Sequence, residues 1–183
     1  MNEAAIARNY AEALFALARE QNQVERARED LQAAQKALES CPDVWPLLDY
    51  PEALERDKRA VVADLLSFAW EPVRNLVALL VLRRRRALLG QVVAHFERAY
   101  EEQEGILPVE VTAAQQPTQP QLERLREILE RKTGKHVQVQ VHVDPGVIAG
   151  MLVRMRDRAI DGTAQGALQR LRAQLWELEL RRA

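Results

Sequence analysis

The spacing of apolar residues changes at Gly105, and this change limits the fold more than any other feature of the sequence. Before Gly105, apolar residues recur every three or four positions, which is the period of a helix with one buried side. After it, Leu107, Val109 and Val111 alternate with other residues, which is the period of a strand. We therefore predict a mainly α chain with two domains, a helical one over 1–105 and a small α/β one over 106–183.

The first domain reads as a series of short helices. Pro42, Pro46 and Pro51 interrupt the helical period, because proline lacks the N–H that a helix interior needs, and leave room for a short turn or helical piece. Five or six short helices joined by tight turns predict a helical bundle. The longer helices are expected over 3–20, 23–40, 52–68, from Glu71 through Leu80, and from about 87 to 104.

The first helix is apolar over an unusually wide arc. Two apolar stripes lie side by side along this helix, so its apolar surface is wider than the usual single side. Such a helix is either deeply buried or packs against a further partner, for which binding of a helix in a groove is a suitable mode. The first stripe contains Ile6, Tyr10, Leu14 and Leu17, and the second contains Ala7, Ala11, Phe15 and Ala18.

The second domain combines strands with helices. Thr118 and Pro120 begin a helix that Gly134 ends, and Asp144–Gly146 forms a turn. Strands are expected through Val137, Val139, Val141 and Val143, whose side chains share one dry face, and then through Met151, Val153 and Met155, with Ala159–Ile160 pairing back. Thr163 is a suitable N-cap for a last helix, in which Leu168, Leu171, Leu175 and Leu178 form a seam that contacts a partner or covers the sheet.

The sequence contains none of the motifs that carry common enzyme chemistry. There is no phosphate-binding glycine loop, and Ser40 and Ser67 are the only serines. Cys41 lies in no catalytic signature, and His95 occupies an apolar helix position. His136 and His142 share the wet face of one strand, where we expect ordinary polar side chains rather than metal ligands. We predict a protein that holds others, with no catalytic residue, cofactor or metal.

Arg83–Arg86 is the most conspicuous charge run and supports the alternative of a nucleic-acid-binding adaptor. Residues 1–105 contain 14 basic and 18 acidic residues, a net charge of −4, and residues 106–183 contain 12 and 9, a net charge of +3. The run therefore lies in an acidic domain and is expected to form a solvated helix junction. The overall net charge of −1 also argues against nucleic acid as a partner.

No stretch approaches the roughly 18 apolar residues that a membrane-spanning helix needs. The N-terminal segment also lacks a secretory pattern, because Glu3 comes early and the segment is amphipathic. We therefore expect a protein of a bacterial-type cytoplasm that reaches a membrane only through its partners.

Motifs along nearly the whole chain resemble those of ATP synthase delta subunits, a family that includes the mitochondrial oligomycin sensitivity-conferring protein. The opening Ala7–Phe15 is similar to the family's Ala-x-x-Tyr-Ala-x-Ala-Leu-Phe, and Val73–Arg86 resembles its Leu-Leu…Arg-Arg helix. The run from Val139 to Arg154, followed by Ile160–Thr163, resembles the family's strand, turn and Asp-Gly-Ser segment. Ala149 replaces a usual glycine there, Thr163 replaces serine, and Asn9 stands where a basic residue or proline is common.

The resemblance implies a six-helix N-terminal bundle followed by a small α/β domain. It further implies a non-catalytic stator subunit on the cytoplasmic face of the bacterial cell membrane, where rotor torque is coupled to ATP synthesis and proton transport. The first domain would bind the N-terminal helix of an alpha subunit of the catalytic head, and the second would bind the C-terminal end of the peripheral stalk b subunits. The residues expected to line the head-binding groove, between the first and fifth helices, are Tyr10, Ala13, Leu14, Asn75, Leu76, Leu79 and Arg85.

Overall fold

The computed structural model describes residues 3–42, 44–50, 54–156 and 158–168. The chain divides into two compact units, of which the first ends at Tyr100 and the second begins at Glu101. Helices dominate the first unit, and the second contains a small four-stranded sheet. The mainly α prediction is therefore confirmed, and the division into units falls a few residues before the predicted boundary at Gly105.

The helices of the first unit follow the predicted order. A 3₁₀ turn, Arg86–Leu88, precedes α6, which continues into the second unit. Pro72 lies in the first turn of α5, where its missing N–H costs nothing. The helices are α1 (Glu3–Glu20), α2 (Val24–Ser40), α3 (Val44–Asp49), α4 (Glu55–Leu65), α5 (Glu71–Leu82) and α6 (Leu89–Gln103).

Two of these helices end in the same way. After α1, Asn22 has a φ of 52°, and the Gln23 N–H donates back to the Ala18 carbonyl at 2.8 Å. After α5, Arg84 has a φ of 55°, and the Arg85 N–H donates back to the Leu80 carbonyl at 2.8 Å. Both are Schellman-type endings, which usually have glycine at the left-handed position. The arginine run is therefore the helix junction that the sequence predicted.

The core of the first unit is built around small residues of α1. Ala7, Ala11 and Ala18 are fully or almost fully buried, so the alanine stripe of α1 faces the core and allows neighbouring helices to approach closely. The half-buried Phe15 ring makes an edge-to-face contact with Phe96 of α6. The other stripe of α1 is only partly used by this core, since Tyr10 remains half-buried.

A polar cluster joins α2 to α6 at the surface of the first unit. The Arg28 guanidinium donates to the Glu97 carboxylate at 2.8 Å and lies 4.6 Å from the centroid of the Tyr100 ring. Gln32 also donates to Glu97, and the Tyr100 hydroxyl donates to Glu25. The hydrogen bond to Glu97 raises the pKa of Arg28 above its ordinary value, so this guanidinium stays charged.

The sheet of the second unit has the strand order β2-β1-β3-β4, with β1 (Ile106–Ala113), β2 (His136–Val143), β3 (Met151–Met155) and β4 (Ala159–Asp161). β1 is parallel to β2 through the crossover helix α7 (Gln119–Thr133) and antiparallel to β3. β3 pairs with β1 only from Val109 onward, so Pro108 lies where β1 has a single neighbour. This position tolerates a residue without an N–H.

Local hydrogen bonds fix both ends of α7. The Thr118 N–H donates to the side chain of Gln121 at 2.9 Å at its start, and Gly134 adopts a left-handed φ of 68° at its end. Val109, Val111, Leu129, Val137 and Val153 form the buried core between α7 and the sheet. The predicted start and stop of α7 are confirmed, and the dry face of β2 is confirmed at Val137 and Val139.

A tight corner joins β4 to the helical residues 164–168. The Thr163 hydroxyl accepts a hydrogen bond from the Gly166 N–H at 3.0 Å and donates one to Asp161 at 2.7 Å, so the predicted N-cap is confirmed. Gly150 packs against this corner with a φ of 87°, and a Cβ at this position would lie 2.3 Å from the Gly162 carbonyl oxygen. Only glycine fits there without displacing backbone atoms.

The helix predicted over 52–68 is shorter in the structure, and one strand position predicted to lie on a dry face is exposed. Phe68 is 51% exposed, because α4 ends at Leu65 and the buried Leu66 and Ala69 take the core positions of the following turn. Val143 is 49% exposed, because it lies at the end of β2, which is an edge strand. The predicted helix with Leu171, Leu175 and Leu178 lies outside the described residues.

Candidate partner-binding groove

A groove of about 720 Å³ runs between α1 and α5 in the first unit. Both helices contribute apolar side chains to it, and the residues just before α5 close one part of its edge. It is larger than the two other depressions described below. Its lining consists of Tyr10, Ala13, Leu14, Leu17, Gln21, Trp70, Glu71, Pro72, Asn75, Leu76 and Leu79.

The groove has an apolar floor and an open top. Leu14 and Leu76 are buried and belong to the core of the bundle, so they form the floor. Tyr10 and Leu79 are half-buried, while Ala13 is exposed. An apolar floor with accessible flanking residues is the geometry that accepts the apolar side of a helix.

The sequences of α1 and α5 produce this groove directly. Tyr10, Leu14 and Leu17 follow one another by four and three positions, which places them on one side of α1. Leu76 and Leu79 are likewise three positions apart on α5. Ala13 contributes only a methyl group, so the surface beside Leu14 stays low and space remains above it.

Of the seven residues predicted to line a groove, the structure brings six together in this one. Arg85 is not among them. Arg85 is half-buried and precedes the 3₁₀ turn after α5. It lies outside the groove because the left-handed backbone of Arg84 turns the chain away from the direction of the helix. Arg85 is therefore outside the groove lining, and the partner-binding role of all seven residues stays a prediction.

Five lining residues were missing from the sequence prediction. Helical spacing could have found three of them, because Leu17 is three positions from Leu14, Glu71 is four from Asn75 and Pro72 is four from Leu76. Trp70 precedes α5 and Gln21 follows α1, so no helical period includes them.

A second, smaller groove of about 250 Å³ lies on the other side of α5, against α4. Glu71 and Asn75 line both grooves, so α5 forms a ridge between two adjoining depressions. The lining of the smaller groove is completed by Arg59, Val62, Ala63, Arg74 and Ala78.

The second unit has its own depression, of about 580 Å³, between α7 and the β3–β4 hairpin. Leu107, Leu129 and Met155 supply apolar surface, and Ile160 beside them is 52% exposed. Lys132 and Arg158 are exposed at this depression. A surface that is apolar with basic residues beside it suits a partner with acidic residues next to an apolar stripe.

The described part of the chain contains no group of three or more His, Cys, Asp or Glu side chains arranged to hold a metal ion. His136 and His142 are exposed at opposite ends of β2, about 20 Å apart given the rise of a strand, so they cannot share an ion. His95 and Cys41 are half-buried. Within the described ranges, no helix has both the length and the apolar character to cross a membrane.

Comparisons with known proteins agree with the resemblance seen in the sequence. The "ATP synthase subunit delta" of Carboxydothermus hydrogenoformans is 31% identical over 176 residues, covering 96% of this chain and 99% of that protein. The protein of the same name from Leuconostoc citreum is 33% identical over 171 residues, covering 93% and 95%.

A chain in the cryo-EM structure of the Toxoplasma gondii mitochondrial ATP synthase hexamer has a similar fold. Its TM-score is 0.69, with 93% of this chain and 97% of that chain covered at 22% identity. The family model described as the ATP synthase delta (OSCP) subunit matches residues 6–175. The match covers nearly all of the chain, and the chain therefore belongs to the ATP synthase delta (OSCP) subunit family.

Proposed function

We propose that this non-catalytic stator subunit ties the alpha/beta catalytic head of an F-type ATP synthase to the peripheral stalk. A tie of this kind keeps the head from turning with the rotor, so that torque is coupled to ATP synthesis and proton transport. In the proposal, residues 1–105 act as a six-helix bundle that binds the head, and residues 106–183 bind the stalk. The protein then sits peripherally on the cytoplasmic face of the bacterial cell membrane as part of the complex.

The α1/α5 groove is the proposed seat of the N-terminal helix of an alpha subunit. Two features support this: the apolar floor of Leu14 and Leu76, and the space that the small Ala13 leaves above it. Tyr10 adds apolar area together with a hydroxyl, which suits an interface anchor. A link that resists torque needs high affinity, and a nanomolar dissociation constant corresponds to roughly 12 kcal/mol.

The second unit is the proposed site for the C-terminal end of the stalk b subunits. The depression between α7 and the β3–β4 hairpin offers apolar surface with basic residues beside it. The other candidate contact is the predicted leucine seam of the last helix, which begins at Leu168, a residue that is 66% exposed. Truncation of the chain after Leu168 distinguishes these two surfaces.

The observation that carries the head contact is the meeting of Tyr10, Ala13, Leu14, Leu76 and Leu79 in one open groove. The test is calorimetric titration of the full-length protein with a synthetic peptide of the first residues of the alpha subunit encoded in the same genome. We expect saturable binding with one peptide per chain and an increase in helicity by circular dichroism. A peptide that does not bind, or that binds equally well when its apolar residues are scrambled, contradicts the proposal.

A further inference from the structure

The surface beside the α1/α5 groove carries two arginines that form no ion pair with the described residues. Arg74 of α5 is half-buried and Arg59 of α4 is exposed, and both line the smaller groove on the far side of α5. In the part of the chain that the structure describes, neither guanidinium lies within ion-pair distance of a carboxylate. Glu71 lies on the same rim, so the three side chains together leave one net positive charge.

These arginines adjoin the proposed head-binding groove. Glu71 and Asn75 line both grooves, so only the ridge of α5 separates Arg74 from the apolar floor at Leu76. A helix is about 10 Å across with its side chains, so one that rests on this floor has one flank above the α5 ridge. Side chains on that flank come within reach of the long, flexible arginines.

We propose that the helix bound in the α1/α5 groove carries an acidic side chain on the flank that faces α4, and that Arg74, assisted by Arg59, binds this carboxylate. The inference rests on the proposed function and specifies the partner of the same site. Arginine suits the role because its planar guanidinium can donate two parallel hydrogen bonds to one carboxylate. The apolar floor selects a helix with a matching stripe, while the arginines fix which flank of that helix faces α4.

The same surface is a poor match for a phosphate chain. Nucleic-acid binding draws on several basic contacts along a backbone, whereas this rim holds two arginines offset by one glutamate beside an apolar floor. An amphipathic helix with one or two acidic side chains satisfies both the floor and the rim.

The test uses the full-length protein and two synthetic peptides. One peptide has the natural alpha-subunit N-terminal sequence, and the other has its acidic residues replaced by glutamine. The protein variants are Arg74→Glu, Arg59→Glu and, as a matched control, Arg98→Glu, which reverses an exposed arginine of α6 outside both grooves. Dissociation constants are measured at low and high salt, and melting curves verify that each variant is folded.

We expect Arg74→Glu to raise the dissociation constant of the natural peptide about tenfold at low salt. The expected increase is about threefold for Arg59→Glu and less than about twofold for Arg98→Glu. These differences shrink in 1 M salt, where the screening length falls to about 3 Å. With the glutamine peptide, Arg74→Glu and the unchanged protein bind alike. Should Arg74→Glu destabilise the bundle, Arg74→Gln gives the same comparison with a smaller perturbation.

Three results overturn the inference: equal effects of all three reversals, an unchanged response with the glutamine peptide, or a natural peptide without an acidic residue on its polar face. If the natural peptide binds the unchanged protein but Arg74→Glu has no effect, the groove proposal survives and only the role of the arginines is lost. If the natural peptide does not bind the unchanged protein, both fall.

Discussion

The ring of Phe96 on α6 meets the ring of Phe15 on α1 edge to face, with centroids 5.3 Å apart and planes at 71°. Phe15 and Ala13 are two positions apart on the helix, about 200° around its axis. The aromatic contact on one side of α1 therefore directs Ala13 away from it, toward the groove. The rotation of α1 about its own axis, which decides whether a groove exists, is thus set from the core.

Replacing Ala13 with tryptophan should fill the groove without disturbing the bundle. Because Ala13 is exposed, the free energy of unfolding should change by no more than about 0.5 kcal/mol. Binding of the alpha-subunit peptide should weaken about tenfold to hundredfold, since a guest helix then meets an obstructed floor. Calorimetric titration and thermal melting measure the two quantities.

Two other alanines of α1 serve as controls for this substitution. Ala16→Trp changes an exposed position outside the groove and should leave binding intact. Ala11→Trp overpacks a buried position and should cost about 1–3 kcal/mol of stability. If Ala13→Trp behaves like Ala11→Trp, with stability lost and peptide binding retained in the folded fraction, Ala13 belongs to the core and the groove proposal is wrong.

The polar cluster around Arg28, between α2 and α6, should stabilise the first unit by a modest amount. Arg28→Met keeps much of the side-chain length but removes the bond to Glu97 and the contact with the Tyr100 ring. Because Arg28 and Glu97 are partly exposed, we expect a loss of only about 1 kcal/mol. As a control, Arg98→Met changes an exposed position of α6, the helix that carries Glu97, and should change the free energy of unfolding by less than about 0.5 kcal/mol.

The effect of Arg28→Met should not depend on pH near neutrality. Glu97 raises the pKa of Arg28, so the arginine's own linkage contribution is complete below its unfolded-state pKa and is lost only as pH rises through the higher folded-state pKa. Both pKa values lie far above the neutral range. Denaturant titrations at about pH 7 and about pH 9 should give the same difference in free energy of unfolding between the unchanged protein and Arg28→Met. If this difference becomes smaller between the two pH values, another group titrates with the cluster.

Gly150→Ala should destabilise the second unit strongly. The new Cβ would lie 2.3 Å from the Gly162 carbonyl oxygen, and the backbone has a φ of 87° that alanine rarely adopts. We expect a loss of about 2 kcal/mol or more. Gly134→Ala is the matched control, because its φ is 68° but its Cβ would meet no atom within 4 Å, so only the backbone cost of about 1 kcal/mol applies. Equal losses in the two variants would contradict the steric explanation.

Proteolysis should separate the two units at a short accessible stretch. Trypsin has no site between Arg98 and Arg124, so a glutamate-specific protease is the suitable reagent, with Glu104 as its most accessible target after α6. β1 should resist cleavage, because it is paired on both sides from Val109 to Ala113. We expect a stable helical fragment that ends near residue 104, identified by mass spectrometry and circular dichroism. A chain cut first inside α1 or α5 would contradict independent folding of the units.

Truncation of the chain after Leu168 tests the stalk contact. Residues 163–168 should be retained, because Thr163 and Gly166 hold the corner after β4 and their removal would expose the sheet. If the C-terminal segment binds the stalk, the truncated protein should lose b-subunit binding in a pull-down while still binding the alpha-subunit peptide. Unchanged stalk binding would assign that contact to the depression between α7 and the β3–β4 hairpin instead.

The sequence predicted the elements well where local signals were strong. Helical spacing and Pro72 located α5, while Thr118 and Gly134 marked both ends of α7. The groove and six of its lining residues were expected from the resemblance to the family, and the wide apolar arc of α1 agreed with that expectation. The sequence did not show that Arg85 lies outside the groove lining, because the left-handed turn at Arg84, where glycine is usual, gives no composition signal. Trp70 and Gln21 were missed because they lie just outside α5 and α1, where helical periodicity does not apply.

The central position of β1 has a consequence for how the chain is made. β1 is the first strand to leave the ribosome, yet its neighbours in the sheet are complete only when residues 143 and 155 have been synthesised. During that interval both of its edges are open to other nascent chains, whereas the core residues of the helical first unit, from Ala7 to Phe96, have all been synthesised. Pro108 and Glu110 suit a gatekeeper role at this stage, since an imino acid and a charge both disfavour pairing with a foreign strand. The strand that organises the second unit is thus also the one that most needs protection before the unit exists.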